Sequence, residues 1–270
     1  MRAPRRIVSR LAAPVIALAL VAGCATPPPA DDKEAVAEWE QVNDPLEPMN
    51  RAVFDFNRTA DTYAIKPAAQ AYRAVMPKFG RERVHNVVSN LNSPLIFAND
   101  VLQGEPDRAV QTFFRAMLNT TFGLGGFIDV ATPAGIPPHE EDFGQTLAVW
   151  GVGEGPYLML PILGPSNPRD TAGLVAEFFA DPFDIWMGNI GKEYISYTRM
   201  GLTGLDKREA LLDTLDEIER TSLDYYASLR SLYRQHRSSE IKNGRGGGEK
   251  VPAPGLSGTG KREELSQSAQ

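Results

Sequence analysis

The chain has 270 residues, a single cysteine and a formal net charge of −6 at pH 7. An acidic chain of this kind is a poor partner for nucleic acid, which needs a basic surface. One cysteine also excludes a disulfide framework within the chain.

Arg2, Arg5, Arg6 and Arg10 form a positive leading region, and Leu11 to Ala22 is an apolar run containing Pro14. That run is shorter than the roughly 20 apolar residues that span a bilayer. Charge, apolar core and small residues in that order describe a secretory signal over residues 1–23. The small residues Val21-Ala22-Gly23 lead directly into Cys24, an order that resembles the lipobox of bacterial lipoproteins, whose cysteine receives lipid and becomes the mature N-terminus. Cys24 is therefore read as a lipid anchor rather than a buried free thiol. Ala25, where an Asp argues for inner-membrane retention, favours the outer membrane. Losing the four leader arginines takes the formal charge from −6 to −10.

Residues 24–43 are rich in proline and charge and read as a tether. A single folded domain is expected over 44–238, with a disordered tail over 239–270 that holds too few large apolar residues to offset ordering entropy. Helix signals dominate the domain. Asp44-Pro45-Leu46-Glu47 is a capping box with proline at the first helical position. Leu46, Met49, Val53, Phe56, Ala60 and Tyr63 follow at alternating spacings of three and four, one stripe on a helix. The same start grammar recurs at Ser93-Pro94, Glu105-Pro106, Asn167-Pro168 and Asp181-Pro182. Asp206 and Glu209 resemble a further capping box before Leu212, Leu215 and Ile218, and a last helix carries Leu223, Tyr226, Leu229 and Tyr233. Tyr157 to Leu163 is a short apolar run that periodicity leaves open between strand and buried loop. The expected class is all-α, several short amphipathic helices broken by proline and glycine. No segment after the leader reaches transmembrane length without charge or proline.

The middle of the chain is unusual. No Lys or Arg lies between Arg115 and Arg169, and the acidic residues there are few: Asp129, Glu140, Glu141, Asp142 and Glu154. An apolar, glycine-rich segment of this size reads either as the protein core with glycines at turns or as a surface that meets acyl chains, because both environments reject charge. Gly151, Gly153 and Gly155 alternate and supply the backbone freedom of a hinge. Their G-x-G-x-G-P pattern does not match a dinucleotide loop.

Catalysis finds no constellation. Ser166 sits in Gly164-Pro165-Ser166-Asn167-Pro168, which departs from a nucleophile elbow, and Ser257 lies in the tail. Of the three histidines, His85 reads as a helix-flank residue and His139, beside Glu140, Glu141 and Asp142, as part of a solvated acidic loop rather than a metal site; His236 is the third. No cofactor, metal or catalytic residue is assigned.

Several long motifs in fixed order then give a resemblance. Asn43-Asp44-Pro45-Leu46-Glu47-Pro48-Met49-Asn50-Arg51 is similar to the N-terminal signature of the MlaA (VacJ) family. Leu118 to Ala131, reading LNTTFGLGGFIDVA, is similar to its central motif. Phe143-Gly144-Gln145-Thr146-Leu147, Trp150 to Tyr157 (WGVGEGPY) and Leu160-Pro161 resemble the block that follows. The resemblance covers about residues 43 to 236. It implies an α-helical disc or ring with an amphipathic channel, lying in the inner leaflet of the outer membrane without a spanning helix. It implies that mislocalised outer-leaflet phospholipid passes to an MlaC-like periplasmic carrier, which maintains lipid asymmetry, and that trimeric porins are partners. A loop between Ile128 and Phe143 is expected to guard the channel, with Gly125, Gly126, Phe127, Gly151 and Gly153 as channel or gating candidates. The rival expectation is a structural envelope lipoprotein that scaffolds other proteins without moving lipid.

Overall fold

A computed structural model describes residues 42–243 and the isolated positions 28, 29, 31, 32 and 36. Cys24, the leader and most of the expected tail lie outside the described residues. The chain divides into two compact units. The first joins the chain up to Thr59 with Gly155–Pro168, and the second joins Ala60–Glu154 with the chain from Arg169 onward.

The first unit is helix α1 (Glu47–Ala60) with a β-hairpin, β1 (Leu158–Leu160) antiparallel to β2 (Gly164–Ser166). Leu158 lies opposite Ser166 and Leu160 opposite Gly164, so the ambiguous run from Tyr157 resolves into a strand and its turn. Three asparagines at seven-residue spacing hold the hairpin. Asn43 Nδ2 donates to the Gly155 carbonyl (2.7 Å). Asn50 donates to the Tyr157 carbonyl (3.0 Å) and accepts from Met159 N (2.9 Å). Asn57 donates to the Leu160 carbonyl (2.8 Å) and accepts from Ile162 N (2.7 Å). Seven residues are two helical turns, so Asn50 and Asn57 share one face of α1. Their amides satisfy strand groups that a third strand would otherwise take. The expected apolar stripe holds only in part: Val53 is buried, but Phe56 is exposed.

The second unit is helical. A π-turn (Asp61–Ile65) leads into α2 (Lys66–Val75), α3 (Lys78–Leu102) and α4 (Pro106–Thr121). Then come α5 (Phe143–Val149), α6 (Pro168–Ala180), α7 (Pro182–Asn189), α8 (Glu193–Ala210), α9 (Leu212–Thr221) and α10 (Tyr225–Ile241). Proline opens α4, α6 and α7 where expected. Asp181 caps α7 by accepting from Phe183 N and Asp184 N. Ser93-Pro94 does not open a helix: α3 runs through Pro94, and its packing along α4 outweighs the one backbone bond that proline removes. Tyr63, the last member of the α1 stripe, is also exposed.

Asp206 and Glu209 are not a capping box either. They lie in the final turns of α8 and are buried. Asp206 takes His85 Nδ1 at 2.8 Å, and Glu209 takes Arg73 Nε at 2.6 Å and Arg81 Nε at 3.2 Å. Those pairs tie α8 to α2 and α3. Leu223 precedes α10 and is exposed, while the Asp224 carboxylate caps that helix through Ala227 N.

The distribution of side chains departs from that of an ordinary globule, with many polar residues buried and many large apolar ones exposed. Among the described residues, Asn50, Asp100, Gln145 and Thr146 are among the most deeply buried side chains. Large apolar residues stand exposed on nearly every helix, including Phe113, Phe114, Phe178, Phe179, Trp186 and Tyr197. No helix among the described residues is long and apolar enough to cross a membrane.

Candidate functional site

The cation-free middle divides between inside and outside: Ala131, Gln145, Thr146, Tyr157 and Met159 are buried, whereas its other large apolar side chains are not. Phe122 (70% exposed), Leu124 (72%), Phe127, Ile128, Val149, Trp150 and Val152 all face outward. The segment after α4 is a rigid apolar tip. Gly125 N donates to the Thr120 carbonyl, Gly126 N to Asn119 O and Ile128 N to Gly123 O, all at 2.9 Å. The path requires left-handed backbone at Leu124 (φ +54°), Gly125 (φ +72°) and Gly126 (φ +97°). A Cβ on Gly126 would press on the Asn90 side chain. The structure thus gathers Gly125, Gly126 and Phe127 at one tip, with the Phe127 carbonyl accepting from Arg83 (3.0 Å).

Gly151 and Gly153 belong to a different turn, after α5. Gly151 has φ +89°, while Gly153 is outside the left-handed region and has open space where a Cβ would sit. Backbone strain on substitution is therefore a property of Gly151, not Gly153.

The loop between Ile128 and Phe143 is strapped down along its length. Arg115 on α4 donates to Asp129 (2.7 Å), Thr132 Oγ1 (2.9 Å) and the Ile136 carbonyl (2.7 Å). Asn119 accepts from Val130 N (2.9 Å) and Ala131 N (3.0 Å). Burial pushes the Asp129 carboxyl up, but bonds from Thr132 and Arg115 outweigh it and leave it at about 2. His139 is not a solvated loop residue. Its Nε2 lies 3.1 Å from both Asp100 oxygens and from Thr112 Oγ1, and Asp100 is fully buried. Glu141 is buried too and meets Arg108 and Gln103.

At the end of the loop, Arg237 from α10 is the hub. It donates to Asp142 through two nitrogens (2.6 and 2.7 Å) and to Asp170 (2.8 Å). Tyr233 donates to the same Asp170 (2.6 Å). Burial raises the Asp170 carboxyl, and the bonds from Arg237, Arg169 and Tyr233 reverse this and hold it at about 2. Glu177 completes the cluster by accepting from Phe143 N (2.6 Å) at the start of α5. Burial, helped by the Asp142 charge, pushes Glu177 up to about 7. Gly144 and Gly173 make this packing possible: a Cβ on Gly144 would strike the Arg237 guanidinium and Asp170, and one on Gly173 would strike the Gly144 backbone.

Sequence reasoning missed Arg115, Asn119, Gly144, Gly173 and Arg237. One signal pointed to the ion pairs. Of the five acids in the cation-free stretch, Asp129, Glu141, Asp142 and Glu154 each find an arginine from outside it: Arg115, Arg108, Arg237 and Arg234. A carboxylate kept in an apolar stretch needs a partner from elsewhere in the chain.

Among the described residues no three His, Cys, Asp or Glu side chains form a group suited to a metal. Ser166 is buried, and its hydroxyl donates to the Asn167 carbonyl. Thr112 donates its hydroxyl proton to the Asp100 carboxylate (2.6 Å).

Such a chain is a mostly helical protein with buried ion pairs and many large apolar side chains left exposed. The chain belongs to the MlaA lipoprotein family, whose profile matches residues 42–240. It is 36% identical over 243 residues to the intermembrane phospholipid transport system lipoprotein MlaA of Escherichia coli K12, covering 87% of this chain and 89% of that one. The Haemophilus influenzae protein of the same name is 33% identical over 239 residues, covering 87% and 91%. An uncharacterised Rickettsia felis protein is 33% identical over 203 residues, covering 75% and 79%. A solved structure described as the structural basis for maintenance of bacterial outer membrane lipid asymmetry is similar with a TM-score of 0.65 at 36% identity, covering 73% of this chain and 98% of that one.

Proposed function

We propose that this chain is a phospholipid-transport lipoprotein of the outer membrane. It is anchored by lipid on Cys24 on the periplasmic side and embedded in the inner leaflet. It takes phospholipid misplaced in the outer leaflet and passes it through an amphipathic channel in a helical ring to a periplasmic carrier, in company with trimeric porins. Non-catalytic transport is part of this reading. The observation that carries it is the side-chain distribution: Phe122, Leu124, Phe178, Phe179 and Trp186 lie outside while Asp100, Glu141 and Gln145 lie inside. Exposed apolar area on this scale marks a surface covered in use. A hydrocarbon layer covers it with little charge to desolvate, since the stretch between Arg115 and Arg169 contains no cation and four of its five acids are paired with arginines. The names of the E. coli and H. influenzae relatives support the same reading.

The test is surface-exposed phospholipid in cells that lack the gene and in cells that carry it back, paired with mass spectrometry of lipids that copurify in mild detergent. The transport reading expects surface phospholipid to rise on deletion and fall on complementation, with phospholipid bound to the purified protein. Unchanged surface phospholipid and lipid-free protein would leave a scaffolding lipoprotein instead.

A further inference from the structure

The turn between β1 and β2 is strained and apolar, and its backbone donors are paired within the protein. Leu163 N donates to the Pro161 carbonyl (2.8 Å), which closes a three-residue turn centred on Ile162 at φ +66°. A γ-turn of this hand is rare and strained. A β-branched residue is the poorest choice for left-handed backbone, where glycine or asparagine is the usual occupant. Yet Ile162 is 55% exposed, Leu163 63%, and Pro161 is exposed as well.

Two features say what covers it. No Asp, Glu, Lys or Arg occurs between Glu154 and Arg169, so the hairpin carries no charge to desolvate. The backbone donors of the tip also need no water. Pro161 has none, Ile162 N is taken by Asn57 Oδ1 (2.7 Å), and Leu163 N is taken by the Pro161 carbonyl. The Leu160 carbonyl just before the tip is taken by Asn57 Nδ2 (2.8 Å). A turn facing water can leave its N–H donors to solvent, whereas a turn entering hydrocarbon must pair them within the protein.

We propose that Pro161–Leu163 is an acyl-chain wedge, a rigid apolar turn that enters the hydrocarbon of a phospholipid leaflet and is held in shape by Asn57. The proposal rests on the membrane-embedded reading above and names the part of the first unit that meets lipid. Asn57 is a positioning residue and Ile162 the inserted one.

The experiment places a genetically encoded environment-sensitive fluorescent amino acid at Ile162. It is placed separately at Phe178, an exposed apolar site of the second unit, and at the exposed, charged Asp213. The full chain is reconstituted in vesicles of phosphatidylethanolamine and phosphatidylglycerol containing doxyl-labelled lipid. The wedge predicts a blue shift and quenching at 162 and 178 and neither at 213. Quenching at 178 without quenching at 162 overturns the wedge and leaves the membrane reading intact. Quenching at neither position overturns both. Ile162→Asn is the second arm. Asparagine tolerates the left-handed backbone, so the vesicle-free chain is expected to melt roughly 2–4 °C higher, while a fluorophore at Leu163 loses its quenching. A lower melting temperature would show that Ile162 packs on its own chain and would also overturn the proposal.

Discussion

Arg237 donates two hydrogen bonds to Asp142, at 2.6 and 2.7 Å, and so binds the last long helix to the end of the loop that precedes α5. The same guanidinium reaches Asp170 at 2.8 Å. The whole cluster is nearly inaccessible to solvent on the arginine side, with Arg237 only 7% exposed. A two-pronged pair of this kind fixes direction as well as distance.

Arg237→Met is therefore expected to destabilise the chain by about 3–5 kcal/mol, because it leaves Asp142 without its counter-charge and Asp170 with Arg169 and Tyr233 alone. Adding Asp142→Asn should return part of that loss, since the two sites share one interaction. Urea unfolding of the single and double variants measures both. A loss under about 1 kcal/mol for Arg237→Met would mean that water screens the pair.

Glu177 gives a pH dependence of defined sign. Its carboxyl is raised from 4.5 to about 7 in the folded chain, so the folded state binds more protons across that interval. The contribution is full below the unfolded value and drains away as pH rises through about 7. Glu177→Gln keeps an oxygen for Phe143 N and removes the titration. It is expected to flatten the stability profile and to stabilise the chain at pH 8 by about 1–2 kcal/mol. Asp129 and Asp170 run the other way: held at about 2, they stabilise the fold above their ordinary value of 3.8 and lose that effect as pH falls through about 2. Thermal melts at several pH values test both limbs.

The two candidate hinge glycines are expected to separate. Gly151→Val forces a β-branched residue to φ +89° and should cost about 1–3 kcal/mol. Gly153→Val has open space and ordinary backbone, so its melt should stay within about 0.5 kcal/mol. We propose that this turn gates lipid entry. If so, Gly153→Val changes surface phospholipid in cells although the protein remains folded. Unchanged surface phospholipid with Gly153→Val would sink its gating role.

Arg115→Leu is expected to release the loop between Ile128 and Phe143 at Asp129, Thr132 and Ile136 together. Limited proteolysis should then cut the variant within 129–142 faster than the parent chain, with helix content kept. Equal cleavage rates would show that Asn119, His139 and Glu141 hold the loop without Arg115.

Helix starts were legible where the local chemistry was sufficient. Pro106, Pro168 and Pro182 open helices because a missing N–H and a fixed φ suit the first turn wherever it lies. Ser93-Pro94 carries the same local signal and fails, because packing of α3 along α4 decides the outcome there. Asp206 and Glu209 mislead for a related reason: their spacing fits a cap, but the cations they serve are Arg73, Arg81 and His85, far away in sequence. The apolar stripe from Leu46 is periodic in sequence but only partly buried: Val53 is inside, whereas Phe56 and Tyr63 face outward.

The sequence by itself determined the helical class, the positions of several helix starts, the cation-free middle and the family motifs that run through it. It could not decide whether that middle was core or surface, because hydrocarbon and protein interior reject charge for the same reason. The tertiary structure shows that it is both, with Phe122, Leu124 and Trp150 outside and Gln145, Tyr157 and Met159 inside. It alone also brings Arg237 to Asp142 and Asn57 to Ile162, since partners 95 and 105 residues apart leave no mark in local spacing.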